Sequence, residues 1–311
     1  MTRAEMLDTT EDILNRAGFQ VSQRCVTRPS CFDLAASRGE ILSLVRVSAD
    51  IRNVSGSEVS ELRGISRCLS ATPLLVADET RCQPLDDDTV YMRYGVAAVT
   101  PKTLGNMAFL QMYPLVEAGP GGYYVNLDGG AIREKRQALG LSVGKLAELM
   151  AVSRRTIYGY ERGMSKASVS AAYNLEWILG VPVARPVNPF ESPPGGRSLL
   201  NAARRLRNRL LNAVLGKLAR FNFRVAPTRR APFDFIAQHP EKGVSIIGGV
   251  PAGRERDIGL RVEEIVSVGR VVNARMVFVT DGRRVPNAAI PLICCEELEG
   301  MEDAEDLMAR L

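Results

Sequence analysis

Apolar and polar positions follow one pattern in the first third of the chain. An amphipathic segment comes first, and short runs rich in Val, Ile and Leu, separated by Gly, Pro and Asp, come after it. The pattern predicts a helix near Leu7–Ala17, three strands, a helix near Glu58–Leu69, two strands and a closing helix. The strands are expected near Gln20–Cys25, Phe32–Ala36, Ile41–Val47, Pro73–Ala77 and Val96–Val99.

The middle of the chain carries only helical periodicity, in short segments with clear ends. The predicted helices are Ala131–Leu139, ending at Gly140; Val143–Met150, capped by Ser142; Ser153–Arg162, ending at Gly163; and one that Ser168 caps. The second and third are joined by a turn at Met150–Ser153. Two short helices joined in this way form a helix-turn-helix.

The last third of the chain repeats the first. Phe32-Asp33 aligns with Phe233-Asp234, in a stretch that also places Phe19 over Phe221. Further on, Ser66–Asp78 aligns with Gly269–Asp281 without a gap. The shared order of these motifs indicates a duplication.

Two groups of helix and strand breakers divide the chain. The first is Glu117–Gly122, "EAGPGG", and the second is Val181–Gly196, which contains five prolines. The predicted organisation is an α/β domain at 1–120, a helical domain at 125–183 with its helix-turn-helix at about 141–162, a Pro-rich linker at 184–196, and a second α/β domain at 197–311.

Composition narrows the functional classes. The chain of 311 residues is 46% hydrophobic and 24% charged, which is typical of a globular protein with two or three domains. It contains no apolar run long enough to span a bilayer, so we expect a cytoplasmic protein with no membrane partner. Its six cysteines form no CxxC pair and it has one histidine, so no metal site and no cofactor are expected.

Two further features of the composition have open interpretations. Ten Lys and Arg and no acidic residue lie between Arg197 and Arg230. The part from Arg197 to Arg220 is amphipathic, with one apolar stripe formed by Leu199, Ala203, Leu206, Leu210, Val214 and Leu218. Its arginines could reach phosphate, although a solvated helix face is the default interpretation. The cysteine pairs Cys25 with Cys31 and Cys294 with Cys295 could sense redox state.

The element order of the outer blocks resembles the restriction-endonuclease-like fold, which Holliday-junction resolvases also use. Catalysis in that fold requires an Asp followed by (Asp/Glu)-x-Lys on the next strand, to hold Mg²⁺ and orient water. After Asp33, however, Leu44 and Arg46 stand at these two positions, and after Asp234 they are taken by Ile247 and Gly249. We therefore expect no catalytic residues and no enzyme.

The middle block, "LGLSVGKLAELMAVSRRTIYGYERG", resembles a Cro/C1-type helix-turn-helix. With "ASVSAAYNLEWILG" and "PVARPVNPF", the whole chain resembles a family of archaeal HTH-type transcriptional regulatory proteins. The expected fold class is a multi-domain α+β/α protein, in which an all-α Cro/C1 domain lies between two duplicated restriction-endonuclease-like α/β domains.

The Cro/C1 resemblance implies roles for particular residues. Arg154 and Arg155 would read base edges, and a guanidinium suits guanine O6 and N7. The expected phosphate contacts are Ser142, Val143, Ser153, Thr156 and Tyr158, with Arg162 further along the helix. Glu161 would pair with Arg136 and support the domain.

Several positions depart from the Cro/C1 pattern or have two interpretations. Val143 and Gly159 stand where other members carry DNA-contacting side chains, and Ala151 replaces a turn glycine, so a left-handed backbone is expected there. Tyr160 is expected to face inward and Trp177 to belong to the core.

These observations predict a sequence-specific, dimeric transcriptional regulator that binds double-stranded DNA. The transcription machinery or a small-molecule effector would be further partners. The alternatives are a structure-specific, metal-dependent DNA nuclease and a DNA-architectural or defence-associated protein.

Overall fold

A computed structural model describes residues 1–81, 83–191, 208–251, 257–282 and 290–311. This part of the chain contains eleven α-helices and sixteen β-strands. None of the helices it describes is long and apolar enough to cross a membrane.

The first α/β unit has the element order that the sequence pattern predicts, with two additional strands. Its elements are α1 (Arg3–Arg16), β1 (Gln20–Val21), β2 (Leu34–Arg38), β3 (Ile41–Asp50), α2 (Gly56–Cys68), β4 (Thr72–Thr80), β5 (Gln83–Pro84), β6 (Thr89–Arg93), β7 (Val96–Val99) and α3 (Pro101–Leu110). Thr2 and Ser55 begin α1 and α2 with capping boxes completed by Glu5 and Glu58. The parallel strands β3, β4 and β7 lie at the centre of the sheet.

The helical block is joined to this sheet by backbone pairing. It contains β8 (Val116–Gly119), β9 (Gly122–Leu127), α4 (Gly129–Ala138), α5 (Val143–Leu149), α6 (Arg154–Glu161), β10 (Ala167–Ser168), α7 (Val169–Leu179) and β11 (Ala184–Arg185). Strand β8 pairs with β6, and β9 pairs with β8, β10 and β11. The expectation of an all-α domain is therefore corrected. The "EAGPGG" stretch, predicted as a boundary, is the end of a β-hairpin: Glu117–Gly119 pairs with Gly122–Tyr124, and Pro120 and Gly121 form the turn, with Gly121 at positive φ.

The chain that follows α7 is bound to the first α/β unit as far as Glu191. Val187 N–H donates to the Pro114 carbonyl at 2.7 Å, and the Phe190 ring lies 5.8 Å from that of Phe19. The Thr72 hydroxyl donates to the Phe190 carbonyl at 2.9 Å. This part of the predicted linker is thus docked, and residues 192–196 lie outside the described residues.

The second α/β unit has the same sheet topology as the first. Its elements are α8 (Arg209–Arg220), β12 (Arg224–Pro227), β13 (Phe235–His239), β14 (Val244–Gly249), α9 (Ile258–Val271), β15 (Arg275–Thr280), β16 (Leu292–Cys294), α10 (Cys295–Gly300) and α11 (Ala304–Arg310). The order β12-β13-β14-β15-β16 matches β1-β2-β3-β4-β7, with the same parallel and antiparallel pairs. Residues 197–207, with Leu199, Ala203 and Leu206, lie outside the described residues.

Equivalent hydrogen bonds at the ends of α1 and α8 correct one position in the sequence alignment of the two units. Phe19 N–H donates to the Leu14 carbonyl, and in the second unit Phe223 N–H donates to Leu218 in the same way. Phe19 therefore corresponds to Phe223 and not to Phe221. The ungapped stretch fits the structure, because Ser70 and Asn273, which it aligns, both follow a helix at positive φ.

The two α/β units pack against each other through equivalent residues. The Phe32 and Phe233 rings lie 6.4 Å apart. Glu264 of α9 accepts hydrogen bonds from the backbone N–H groups of Val26 and Thr27, both at 2.8 Å. Glu61 stands at the same position in α2 and accepts from residues 229 and 230 at 2.5 and 2.8 Å. Since each contact has its counterpart, the units form a pseudo-two-fold pair within one chain.

Candidate nucleic-acid interface

Each helix of the helix-turn-helix block begins at a side-chain cap. Asp128 accepts from Ala131 N–H at 3.0 Å at the start of α4, and this bond holds the pKa of Asp128 below its ordinary value. Ser142 accepts from Lys145 N–H at 3.0 Å, and Ser153 accepts from Thr156 N–H at 3.1 Å. The caps satisfy backbone donors that would otherwise lack partners at helix starts, and so they fix where α5 and α6 begin.

The turn between α5 and α6 has a left-handed residue at its centre. Ala151 has φ of 52°, as expected from its replacement of a glycine. Met150 N–H closes α5 on the Leu146 carbonyl at 2.9 Å, and Val152 N–H donates to Ala147 at 3.0 Å. The turn is therefore tight, and it places α6 directly after α5.

The inner faces of the helices form one apolar core, which fixes the outer face of α6. Ile132, Leu146, Ile157 and Leu175 are fully buried, and Tyr160 is buried as expected. Burial also raises the pKa of Tyr160. With Ile157 and Tyr160 held inward, the opposite face of α6 is directed to solvent.

Arg136 and Glu161 form a buried ion pair between α4 and the end of α6. Arg136 Nε donates to Glu161 Oε1 at 2.5 Å, Nη2 donates to Oε2 at 3.3 Å, and Nη1 donates to the Leu141 carbonyl at 2.8 Å. The two side chains are 9% and 7% exposed. The structure thus brings together the two residues that the sequence pairs.

The exposed face of α6 is basic and carries hydroxyl groups. Arg154, Arg155 and Arg162 are exposed, and Tyr158 is 48% exposed. The Arg162 guanidinium carbon lies 5.8 Å from the centre of the Tyr158 ring. The Ser153 and Thr156 hydroxyls lie 2.9 Å apart. At the start of α5, Ser142 is exposed and Val143 is half-buried.

Two glycines shape this face in a way that the sequence did not reveal. A Cβ at Gly144 would lie 3.0 Å from Arg154 Nε and Nη2, so the Arg154 guanidinium lies across the first turn of α5. A Cβ at Gly159 would lie 2.5 Å from the Ser165 hydroxyl oxygen. Gly159 therefore lets the loop after α6 approach the helix, which explains the missing side chain at that position.

Trp177 differs from the prediction. It was expected in the core, yet it is 79% exposed, because α7 buries the opposite face through Ala172, Leu175 and Leu179. Val169 and Tyr173 precede it at four-residue spacing and are also exposed. These residues form an apolar row on the surface of α7.

The first of the two aspartates that match the nuclease motif is held by arginines. Asp33 Oδ2 accepts from Val47 N–H at 2.7 Å, and Oδ1 accepts from Arg3 at 2.5 Å and from Arg46 Nη1 at 3.0 Å. Arg46 also donates to Glu58 of α2 at 3.1 Å. Glu58 is a carboxylate of this site that the sequence motif did not indicate, because it lies on a helix and not on the strand.

The second aspartate has the same backbone contacts with different arginines. Asp234 Oδ2 accepts from Val250 N–H at 2.8 Å, the counterpart of the Val47 bond. Arg28 of the first unit donates to Oδ1 at 2.7 Å, and the fully buried Arg261 of α9 binds Oδ2. Each aspartate is thus neutralised by two guanidinium groups.

Neither site fits a divalent metal ion. Mg²⁺ requires several oxygen ligands, whereas the strand positions beside the aspartates hold Leu44 and Arg46 in one unit and Ile247 and Gly249 in the other. Guanidinium groups, which cannot bind a cation, take up the carboxylate oxygens. In the described ranges, no three His, Cys, Asp or Glu side chains are grouped so as to hold a metal.

Comparison with known proteins identifies two domains and the family. Residues 3–114 match the PD-(D/E)XK superfamily domain, and residues 132–185 match a helix-turn-helix domain. A Methanocella arvoryzae protein named "Putative HTH-type transcriptional regulatory protein" is 35% identical, over 99% of this chain and 95% of that protein. Proteins with this name from Halobacterium salinarum and Thermococcus kodakarensis are 36% and 31% identical, over 99% of this chain and 96% and 95% of theirs.

The chain belongs to this family of archaeal HTH-type transcriptional regulatory proteins. A part of the chain is also similar to the crystal structure of the restriction-modification controller protein C.AhdI from Aeromonas hydrophila. That match is 36% identical, covers 17% of this chain and 80% of that chain, and has a TM-score of 0.17.

Three of the four cysteines that were candidates for redox sensing have a raised thiol pKa. Cys25 and Cys31 are buried, and burial raises the pKa of both thiols far above the ordinary value. Burial and the neighbouring Glu299 raise the pKa of Cys295 as well. The reactive thiolate is disfavoured in all three. Cys82 lies outside the described residues.

Proposed function

We propose that this protein is a sequence-specific transcriptional regulator that reads the major groove of double-stranded DNA with α6. The observation that carries the proposal is the arrangement of α6 itself. Its first turn exposes Arg154 and Arg155, while Ile157 and Tyr160 anchor its other face. The N-terminal residues of the second helix in a helix-turn-helix are the ones that reach base edges.

The proposed contacts divide into base readers and backbone contacts. Arg154 and Arg155 read bases, because a guanidinium donates two parallel hydrogen bonds to guanine. Ser153 and Thr156 share a single hydrogen bond between their hydroxyls, so one hydroxyl hydrogen is left for a phosphate oxygen. Tyr158, Ser142 and the backbone at Val143 contact phosphate, and Arg162 adds charge further from the bases. The Arg136–Glu161 pair supports the domain.

The first test is a binding titration with arginine variants. Arg154→Ala and Arg155→Ala should each lower affinity for a selected duplex by about 1–3 kcal/mol and relax base preference at one position. Tyr158→Phe should weaken specific and scrambled duplexes equally, and Arg162→Ala should mainly flatten the salt dependence. The measurement is fluorescence anisotropy at two salt concentrations, with Arg16→Ala, on the surface of α1, as control. Equal losses on both duplexes for Arg154→Ala and Arg155→Ala would show that these arginines only bind the backbone.

A second test moves Arg154 without changing it. Gly144→Ala places a methyl group 3.0 Å from the Arg154 guanidinium, so the side chain must shift by a few tenths of an ångström. If Arg154 reads its base from that position, Gly144→Ala should lower specific affinity by less than Arg154→Ala does, and the double variant should lose little more than Arg154→Ala alone. Additive losses would mean that Arg154 acts from elsewhere.

We also propose that the protein acts as a homodimer on paired half-sites. The faces that join the two α/β units are already used within one chain, so a second copy must bind elsewhere. The exposed row of Val169, Tyr173 and Trp177 offers a self-complementary apolar surface beside the helix-turn-helix. Sedimentation should show a dimer that Trp177→Glu converts to a monomer; an unchanged mass would place the dimer interface elsewhere or exclude a dimer.

The two α/β units are proposed to be catalytically silent copies of a restriction-endonuclease-like domain, at about 1–120 and 197–311, on either side of the helix-turn-helix block. Their shared topology supports the duplication, and the arginines at both aspartates argue against an enzyme. The alternative is a metal-dependent DNA nuclease, which the PD-(D/E)XK match favours. Incubation of duplex and branched DNA with Mg²⁺ or Mn²⁺ separates the two, because cleavage that Asp33→Asn or Asp234→Asn abolishes would establish the nuclease.

A further inference from the structure

A cavity lies at the junction of the two α/β units, beside Asp33. Its volume is about 410 Å³, and its lining includes five arginines and two carboxylates. The arginines are Arg3, Arg24, Arg28, Arg46 and Arg230, and the carboxylates are Asp33 and Glu58. Arg230 comes from the second unit and the rest of the lining from the first. A volume of this size is within the range of small-molecule sites, roughly 300–1,000 Å³.

The carboxylates of the lining are already neutralised. Asp33 is bound by Arg3 and Arg46, as described above. Glu58 is bound by Arg46, and its Oε2 lies 3.6 Å from Arg230 Nη1. Burial by itself would raise the pKa of Glu58, but hydrogen bonds from Ser55 and the charges of Arg46 and Arg230 lower it overall. The carboxylates therefore hold the arginines in place.

Several guanidinium donors of the cavity have no protein acceptor in the described part of the chain. Arg28 uses only Nη1, toward Asp234, which Arg261 also binds. Within the described residues, the Arg230 guanidinium makes no hydrogen bond, and its ion pair with Glu58 is 3.6 Å long. Arg46 Nε is buried without an acceptor. Of these donors only Arg46 Nε is buried, and buried donors are nearly always satisfied in native proteins. The Arg28 and Arg230 side chains are 23% and 37% exposed and line the open cavity. A ligand with several acceptor oxygens would offer partners to all three.

We propose that this cavity binds a small molecule that carries a phosphate or polyphosphate group, held by Arg28, Arg46 and Arg230. Phosphate oxygens match the planar donor fork of arginine, and three guanidinium groups around one anion suit a multiply charged group. A bound ligand would contact both α/β units, because Arg230 and the other arginines come from different units. The proposal does not depend on DNA reading by α6.

The probes are pyrophosphate and ATP, measured by calorimetry on the full chain. Both should bind the wild-type protein at one site per chain, and the double variant Arg28→Ala/Arg230→Ala should weaken binding by about tenfold or more, because it removes two of the three guanidinium groups that would hold the anion. Arg16→Ala, which removes an exposed arginine far from the lining, should leave binding within about twofold.

A second variant guards against misfolding of the double variant. Val26 lies on the cavity wall, is 74% exposed, and tolerates substitution for that reason. Val26→Glu adds a negative charge without removing any contact of the arginines and should also weaken the binding of both probes. Probe binding that survives both Val26→Glu and the double variant would overturn the proposal.

A third arm separates a small ligand from the DNA backbone. Binding of a 20-bp duplex, about two helical turns, is measured with the same variants. Duplex binding that is unchanged in Arg28→Ala/Arg230→Ala, with loss of the probes, supports the proposal. No probe binding to the wild type up to roughly 10 mM, weaker than any useful affinity, or a loss confined to the duplex, would overturn it.

Discussion

The sheets of the two α/β units have the same strand order, yet the arginine that pairs with the aspartate comes from a strand in one unit and from a helix in the other. In the first unit Arg46 projects from β3, and Glu58 of α2 holds it. In the second unit Gly249 stands at the position of Arg46, and Arg261 of α9, at the position of Glu58, takes over the ion pair. In both units the aspartate is paired with a guanidinium group, and the strand supplies it in one unit and the helix in the other.

This exchange also explains why an arginine fills the space beside Asp234, whereas Asp33 borders an open cavity. Arg261 is fully buried and fills the space above Asp234, with its guanidinium carbon 5.7 Å from the centre of the Phe278 ring. In the first unit the corresponding space is the cavity described above, which is lined by guanidinium groups. Both aspartates are buried, but Arg261 belongs to the core, whereas Arg3 and Arg46 are partly exposed at the cavity.

The largest expected effect breaks the closed site. Arg261→Leu leaves Asp234 with Arg28 and the Val250 N–H, and it also removes the donors to the buried Pro232 and Val250 carbonyls. Since Arg261 is fully buried, the free energy of unfolding should fall by about 3–5 kcal/mol. Arg46→Leu should cost less, about 1–3 kcal/mol, because Asp33 keeps Arg3 and the Val47 N–H and the Arg46 side chain is 18% exposed. Urea denaturation of both variants measures the difference. Equal losses would show that the two sites do not differ in burial as described.

The next effect tests the pseudo-two-fold contact between the units. Glu264→Ala and Glu61→Ala each leave two backbone N–H groups without their acceptor, and each should cost about 1.5–3 kcal/mol. Glu263→Ala, on the exposed side of the same helix as Glu264, is the control and should change little. Thermal denaturation of the three variants provides the comparison. A loss for only one of the two buried-contact variants would contradict the symmetric description.

A somewhat smaller effect concerns the glycine that replaces Arg46. A Cβ at Gly249 would lie 2.7 Å from the Phe278 ring and 3.0 Å from Ile265 Cδ1. Gly249→Ala should therefore destabilise the protein by about 1–3 kcal/mol through overpacking. Gly216→Ala, in α8 where the added Cβ meets nothing within 4 Å, should be neutral or stabilising. A neutral Gly249→Ala would mean that the second unit has room for a side chain there.

The smallest effect is a pH dependence that only the first unit should show. The pKa of Glu58 in the folded protein is below its ordinary value of 4.5, so the unfolded chain binds its proton more readily. The stabilisation is complete above the ordinary pKa and is lost as the pH falls through the folded value. Glu58→Gln should therefore make the decline of the melting temperature between about pH 6 and pH 3.5 shallower. An identical decline in wild type and variant would contradict it.

The sequence predicted most of the local structure, because caps, glycines and apolar periodicity act within a few residues. The caps at Ser142 and Ser153 are evident from the sequence and are formed in the structure, and so is the left-handed backbone of Ala151, which stands where a glycine is usual. The buried Arg136–Glu161 contact was expected only through the family resemblance. Contacts within one helix or turn are encoded locally, and they were the easiest to foresee.

Features that depend on distant segments were not predictable in this way. The hairpin at Glu117–Gly122 has the composition of a linker, and only its pairing with β6 distinguishes the two. Glu58 lies on a helix, outside the strand motif, so no spacing rule connects it with Asp33. The exposure of Trp177 depends on which face of α7 the other helices cover, and the size of its side chain suggested the opposite.

The position of Phe190 has a consequence for how the protein is made. Its ring is buried in the core of the first α/β unit, against Phe19, although the helix-turn-helix block separates the two residues in the chain. A ribosome must therefore deliver the entire DNA-binding block before the first unit can complete its interior. Domains usually mature in the order of synthesis. Here the core of the first unit includes a residue that is synthesised after the DNA-binding block. A nascent chain that stops within that block would therefore lack Phe190 in the core of the first unit.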